Sequence, residues 1–196
     1  MVVVTGIFVM VTGVVMANLP KFRNQASLDL TAQEVALSIR EAQVYGTATK
    51  VSGGEYPSYG IHFDIKNSTA NKNFVLFADD GNRVFDPGID PGDGCGLTVG
   101  ECLERYALDG PFYILKICTN DGSNEECITY NDGVDISLDL VYRRPFPEPS
   151  ICVDGNSNDC DYTNATIVIG SPQGDESKLI KVWNNGQISV ANPVTL

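Results

Sequence analysis

The opening run, MVVVTGIFVMVTGVVMANLPKFR, constrains this chain more than any other stretch. From Val2 to Ala17 it carries no charge, and Val, Ile, Phe and Met are interspersed with Thr5, Gly6, Thr12 and Gly13. An apolar helix to Leu19, about seventeen residues, falls just under the roughly twenty needed to cross a bilayer core. Two other readings compete. A signal peptide would open on a basic segment and close on a small-x-small cleavage site, and the run offers neither. A core helix of a soluble protein would show a polar face and would not sit at the extreme terminus.

The residues after the run weigh more than the run itself. Beyond Pro20 the apolar positions thin to Leu28, Ala32, Val35, Ile39 and Ala42, at steps of four, three, four and three. Gln25, Asp29, Gln33, Glu34, Arg40, Glu41 and Gln43 fill the other faces. That spacing predicts an amphipathic helix reaching Tyr45 and ended by Gly46. Pro20 lacks a backbone donor, so it kinks or locally melts such a rod without ending it. The prediction is one helix of about 45 residues, roughly 65 to 70 Å long, apolar all round in its first half and one-sided in its second. A membrane anchor needs only the first half. A helix that leaves the bilayer and packs against copies of itself needs both.

From Tyr59 the period changes to two: Tyr59, Ile61, Phe63 and Ile65 point one way, His62 and Asp64 the other. Further strands are predicted at 74–78, 112–118, 134–142, 166–170, 178–183 and 187–190, with Asn185-Gly186 as a hairpin turn between the last two. One long helix followed by short consecutive strands predicts an α+β fold, an antiparallel sheet laid on the second half of the helix. The segments are then 1–20, apolar helix half; 21–46, amphipathic helix half; and 47–196, globular sheet domain.

These residues carry a resemblance. The stretches MVVVTGIFVMVTGVVMANLPKF, AQEVALSIREAQVYG, YGIHFDI and KLIKVWNNGQISV together resemble the type IV pilin superfamily, which includes the type II secretion pseudopilins. The chain looks most like the general secretion pathway protein H kind. The likeness is concentrated in residues 1 to 65. It implies a pilin-like fold and a structural subunit of a helical filament, held in the inner membrane before assembly and then part of an extracellular or periplasmic fibre. The implied partners are copies of itself, related pilins, the membrane, and the pilus or secretion assembly machinery. Filament contacts would fall on Val4, Gly6, Phe8, Val11, Gly13 and Val15, with Pro20 as a flexible point. Leu28, Val35 and Ile39 would be shared between the chain's own sheet and its neighbours. Family precursors also carry a basic leader, a glycine cut by a peptidase, and a few residues including a glutamate ahead of the apolar run. Aligned on that run, this chain begins after them, so neither feature is assigned to any position here.

Charge and cysteines bound the rest. Thirteen basic against twenty-five acidic side chains leave a net charge of −12, with the deficit after Lys50. Such a surface repels phosphate backbones, so no nucleic acid is expected on it. The six cysteines allow 15 pairings. The simplest is three short-range bridges, Cys95–Cys102, Cys118–Cys127 and Cys152–Cys160, which implies an oxidising, exported location. Lys21 and Arg23 flank the exported side of the apolar run, against the positive-inside tendency, and the cysteines outweigh them. With His62 as the single histidine, zinc is disfavoured. The chain has no nucleophile elbow, phosphate loop or zinc signature, and no enzyme is expected.

Two loops are dense in hard oxygen ligands suited to calcium, the one cofactor their chemistry points to. In DDGNRVFDPGIDPGDGCG the candidates are Asp79, Asp80, Asn82, Asp86, Asp90 and Asp93; in CVDGNSNDCD they are Asp154, Asn156 and Asn158. Both fail the EF-hand spacing, and a solvated acidic loop is the plainer reading. They support an alternative function of another class: a membrane-tethered extracellular module that binds calcium or a glycan, or a minor pilin at a filament tip.

Overall fold

The computed structural model describes residues 2–48, 57–65, 70–86, 95, 100–130, 132–134, 136–171 and 176–192. Helix α1 spans Val2–Thr47 and passes through Pro20 without ending. A proline deletes one hydrogen bond of the ladder, and the turns on either side keep theirs. Hydroxyls are folded back into the rod: Thr12 donates to the Phe8 carbonyl at 2.8 Å, Thr31 to Ser27 at 3.1 Å and Thr47 to Gln43 at 2.8 Å. In an apolar surrounding this leaves the Thr12 hydroxyl satisfied within its own helix.

The strands form two five-stranded sheets, where the sequence predicts one. The first contains β1 (Ser58–Asp64), β2 (Asn73–Asp79), β3 (Cys102–Ala107), β6 (Ser137–Tyr142) and β7 (Pro149–Val153) in the order β3-β2-β1-β6-β7. The second contains β4 (Tyr113–Asn120), β5 (Glu125–Thr129), β8 (Asn164–Gly170), β9 (Ser177–Trp183) and β10 (Ile188–Ala191) in the order β10-β9-β8-β4-β5. Every strand pair within both sheets is antiparallel.

One core joins the three pieces. Leu28, Ala32, Val35, Ala36, Ile39 and Ala42 of α1 pack with Ile61, Phe63 and Leu140 of the first sheet and Ile117, Ile167 and Ile180 of the second. The period-two reading of β1 holds: Tyr59, Ile61 and Phe63 are fully buried. The Asn185-Gly186 hairpin is wider than a two-residue turn. Trp183 donates its N–H to the Gln187 carbonyl at 2.9 Å, and Gly186 takes a φ of 83°, the three-residue loop in which glycine supplies the left-handed position. Gln43 fixes this hairpin to the helix by donating from Nε2 to the carbonyls of Pro147 at 2.9 Å and Gly186 at 3.0 Å.

The first sheet has a second, smaller apolar cluster on its other face. Val75, Phe77 and Val141 are buried there under Phe85, whose ring centroid lies 5.3 Å from that of Phe77 and 4.7 Å from that of His62. The chain leaving β2 therefore folds back over the sheet.

Candidate functional site

Among the described residues, the large apolar side chains in the first half of α1 are exposed. Val4, Phe8 and Met10 are 70%, 72% and 77% exposed, and Val11, Val14, Val15 and Phe22 are also exposed. The helix is long and apolar enough to cross a membrane. Beyond their chain neighbours and the local helix backbone, Gly6 and Gly13 have nothing within 4 Å of the point where a Cβ would stand, so another helix can approach closely there. An exposed apolar surface of this extent marks a lipid or protein contact.

In the second half, the expected sharing of Leu28, Val35 and Ile39 with neighbours does not fit the packing. Their side chains are 1%, 1% and 0% exposed, closed inside the chain's own core. The two sheets together cover that face completely. The outward apolar positions are instead Leu30, Leu37 and Val44, each more than half exposed. Steps of seven keep them on one stripe, roughly opposite the buried face. The sequence carried this signal as a heptad, but the buried stripe beside it is the stronger one.

A different kind of site lies where β2 ends and β3 begins. These strands pair with Phe77 opposite Cys102, and Ala78 donates its N–H to the Glu101 carbonyl at 2.8 Å. The connection between them returns to its own base, where the Cys95–Cys102 disulfide joins it to β3. Asp79, Asp80 and Glu101 are thereby gathered, with one carboxylate oxygen from each within 4.8 Å of the others. Backbone donors hold the group in place. Arg83 N–H reaches Asp79 Oδ1 at 2.7 Å, Asp80 N–H reaches Glu101 Oε1 at 2.7 Å, and Asp86 N–H reaches Glu101 Oε2 at 2.9 Å. Asn82 donates from its backbone to Asp80 Oδ1 at 3.3 Å and from its side chain to Asp86 Oδ2 at 2.7 Å.

The electrostatics of this group are unfavourable. Burial pushes the Glu101 carboxyl up to about 7, against the two N–H donors, and the neighbouring Asp79 and Asp80 charges add to the rise. Burial likewise raises Asp79, opposed by the N–H groups of Arg83 and Gly81, reinforced by the Asp80 charge, and opposed also by a hydrogen bond from the Ser58 hydroxyl. Of the six carboxylate and amide candidates expected in this loop, Asp79 and Asp80 enter the cluster. Asn82 and Asp86 support it, and Asp90 and Asp93 lie outside the described residues. Glu101 was not among them. Only the return strand brings it close, across twenty-one positions of sequence.

The second loop engages its oxygens with backbone N–H groups. Asp154 Oδ1 accepts Ser137 N–H at 3.2 Å, and Asn156 Oδ1 accepts Asn158 N–H at 3.1 Å. The three bridges Cys95–Cys102, Cys118–Cys127 and Cys152–Cys160 form, so Cys118 and Cys127, which neighbour Glu125, are not free to hold a metal. His62 Nδ1 lies 2.7 Å from Asp139 Oδ1, both directed to the face covered by Phe85.

Compared with known proteins, the chain matches no family model, no curated relative and no solved structure.

Proposed function

We propose that this chain is a structural subunit of a type IV pilus-like or type II secretion pseudopilus-like filament. It is anchored in a membrane by the first half of α1 and polymerises through it. The observation that carries the reading is the division of one continuous helix. Its first half is apolar on all sides, with its described large side chains exposed, while its second half is seated by one face on two disulfide-bearing antiparallel sheets. In assembly, residues 2–19 exchange lipid for the equivalent helices of neighbours. Gly6 and Gly13 admit close approach, and Leu30, Leu37 and Val44 extend the contact beyond the bilayer. Because different surfaces of each copy meet, the contacts propagate into a fibre and do not close into a ring.

The test is electron cryo-microscopy of material sheared from cells that make this protein, with the wild type and Gly13→Leu side by side. Wild-type fibres with α1 bundled at the axis, and a mutant that folds but yields few fibres, support the reading. Protein that stays in the membrane fraction, with no fibre containing it, sinks the reading. That outcome favours the tethered binding module, the second reading, which the Asp79, Asp80 and Glu101 cluster motivates.

A further inference from the structure

Independently of polymerisation, we propose that Asp79, Asp80 and Glu101 bind one divalent cation, and that the ion is Ca²⁺. An acidic cluster alone would be ordinary surface. Here Asp79 is 2% exposed, and its Oδ2 is buried without a hydrogen-bond partner among the described residues. A buried, unpaired carboxylate oxygen is costly unless a cation or donor meets it. Its other oxygen is fixed by Arg83 N–H at 2.7 Å, and the Asp80 and Glu101 oxygens stand within 4.8 Å.

The ligands and their setting select the ion. Carboxylates carried on a strand end and a loop suit Ca²⁺, which accepts irregular oxygen geometry, better than Mg²⁺, which demands near-ideal octahedral geometry and keeps several of its waters. All three ligands are hard oxygens, which disfavours zinc and softer metals. Each Glu101 oxygen accepts one backbone N–H, leaving a lone pair on each for a metal. The basic side chains nearby are Arg83, Arg143 and Arg144. The Arg83 guanidinium is directed elsewhere, donating from Nη2 to the Ser157 carbonyl at 2.8 Å. Arg143 and Arg144 line a cavity shared with Asp79 and Asp80 and are the rivals to a metal for these charges. Bound there, the ion ties the end of β2 to the start of β3, at the root of the segment that carries Phe85 over the first sheet.

The experiment uses the full chain in detergent, stripped with EDTA and titrated calorimetrically with CaCl₂ and, separately, MgCl₂. Thermal unfolding is followed in parallel. One Ca²⁺ per chain is expected, with a melting temperature that climbs as free Ca²⁺ rises above Kd, and weaker binding of Mg²⁺. Glu101→Gln should abolish the heat. Asp80→Asn changes an exposed side chain and keeps an oxygen for the Asn82 N–H, and should weaken binding by about tenfold or more by removing a ligand charge. Asp154→Asn, in the other acidic loop, should bind as wild type. Three results each overturn the proposal: no heat with millimolar Ca²⁺, leaving Arg143 and Arg144 to balance the charge; binding unaffected by Asp80→Asn; or binding lost in Asp154→Asn alone. Equal affinity for Mg²⁺ overturns the assignment to calcium.

Discussion

Phe8 and Ile39 occupy the same helix, about 45 Å apart along its axis, yet the first is 72% exposed and the second not at all. Apolar content does not separate the two regions, since both halves of α1 are rich in large aliphatic side chains. Pattern separates them. Between residues 28 and 42 the apolar side chains that count for folding return every three or four positions, and a stripe of that width can be covered by sheets from the same chain. Between residues 2 and 19 they cover the whole circumference, which no sheet on one side can cover. The one-sided half therefore folds the molecule, and the all-round half commits it to a surrounding that other molecules must supply.

The largest effect is expected from truncating one residue of each half. Ile39→Ala should lower the stability of the sheet domain by about 2 to 5 kcal/mol, through lost burial and the cavity left among both sheets. Phe8→Ala should change it by less than about 0.5 kcal/mol. Urea unfolding of the full chain in detergent, followed by the fluorescence of Trp183, measures both. Equal losses would mean that the first half of α1 packs on the domain after all.

A smaller effect is expected where α1 meets β6. A Cβ placed on Gly46 would stand 2.5 Å from the Tyr142 carbonyl oxygen and 2.7 Å from its Cβ, and the fully buried Tyr142 has no room to retreat. Gly46→Ala should therefore destabilise by about 1 to 3 kcal/mol, as overpacking does. The better helix propensity of alanine acts in the opposite direction by about 1 kcal/mol. A net gain in the melting temperature would show that the end of the helix is not seated on β6 as described.

The same rule decides which elements were legible in the sequence. The helix and the strands β1, β2, β4, β6, β8, β9 and β10 announce themselves by apolar periodicity or by turn chemistry. β3, β5 and β7 do not, and all three lie at sheet edges. In β3, Leu103, Glu104 and Arg105 are exposed in succession, and β5 opens on two exposed glutamates. With exposed residues in succession, and so on both faces, there is no alternation to read. β7 begins at Pro149, which a strand tolerates at its first residue or at an edge. Missing β3 also hid Glu101, because its place beside Asp79 exists only through the pairing of β2 with β3. The division into two sheets was hidden for a related reason: inward-facing residues look alike whichever sheet carries them.

Leu37 lies on the half of α1 that folds the domain but on the side opposite the buried stripe. It is 64% exposed and borders a groove with Thr31, Glu34, Phe74 and Tyr106. Leu37→Gln keeps a good helix former and removes little packing within the chain, so stability should move by less than about 0.5 kcal/mol. If Leu30, Leu37 and Val44 extend the filament contact, the same variant should still reduce the amount of fibre recovered by shearing, because each subunit in the fibre loses that contact. A normal fibre yield would confine assembly to residues 2–19 and leave the stripe as ordinary surface. A loss of stability comparable to that of Ile39→Ala would mean that the groove is packed from within and that no face of the lower half is free for a neighbour.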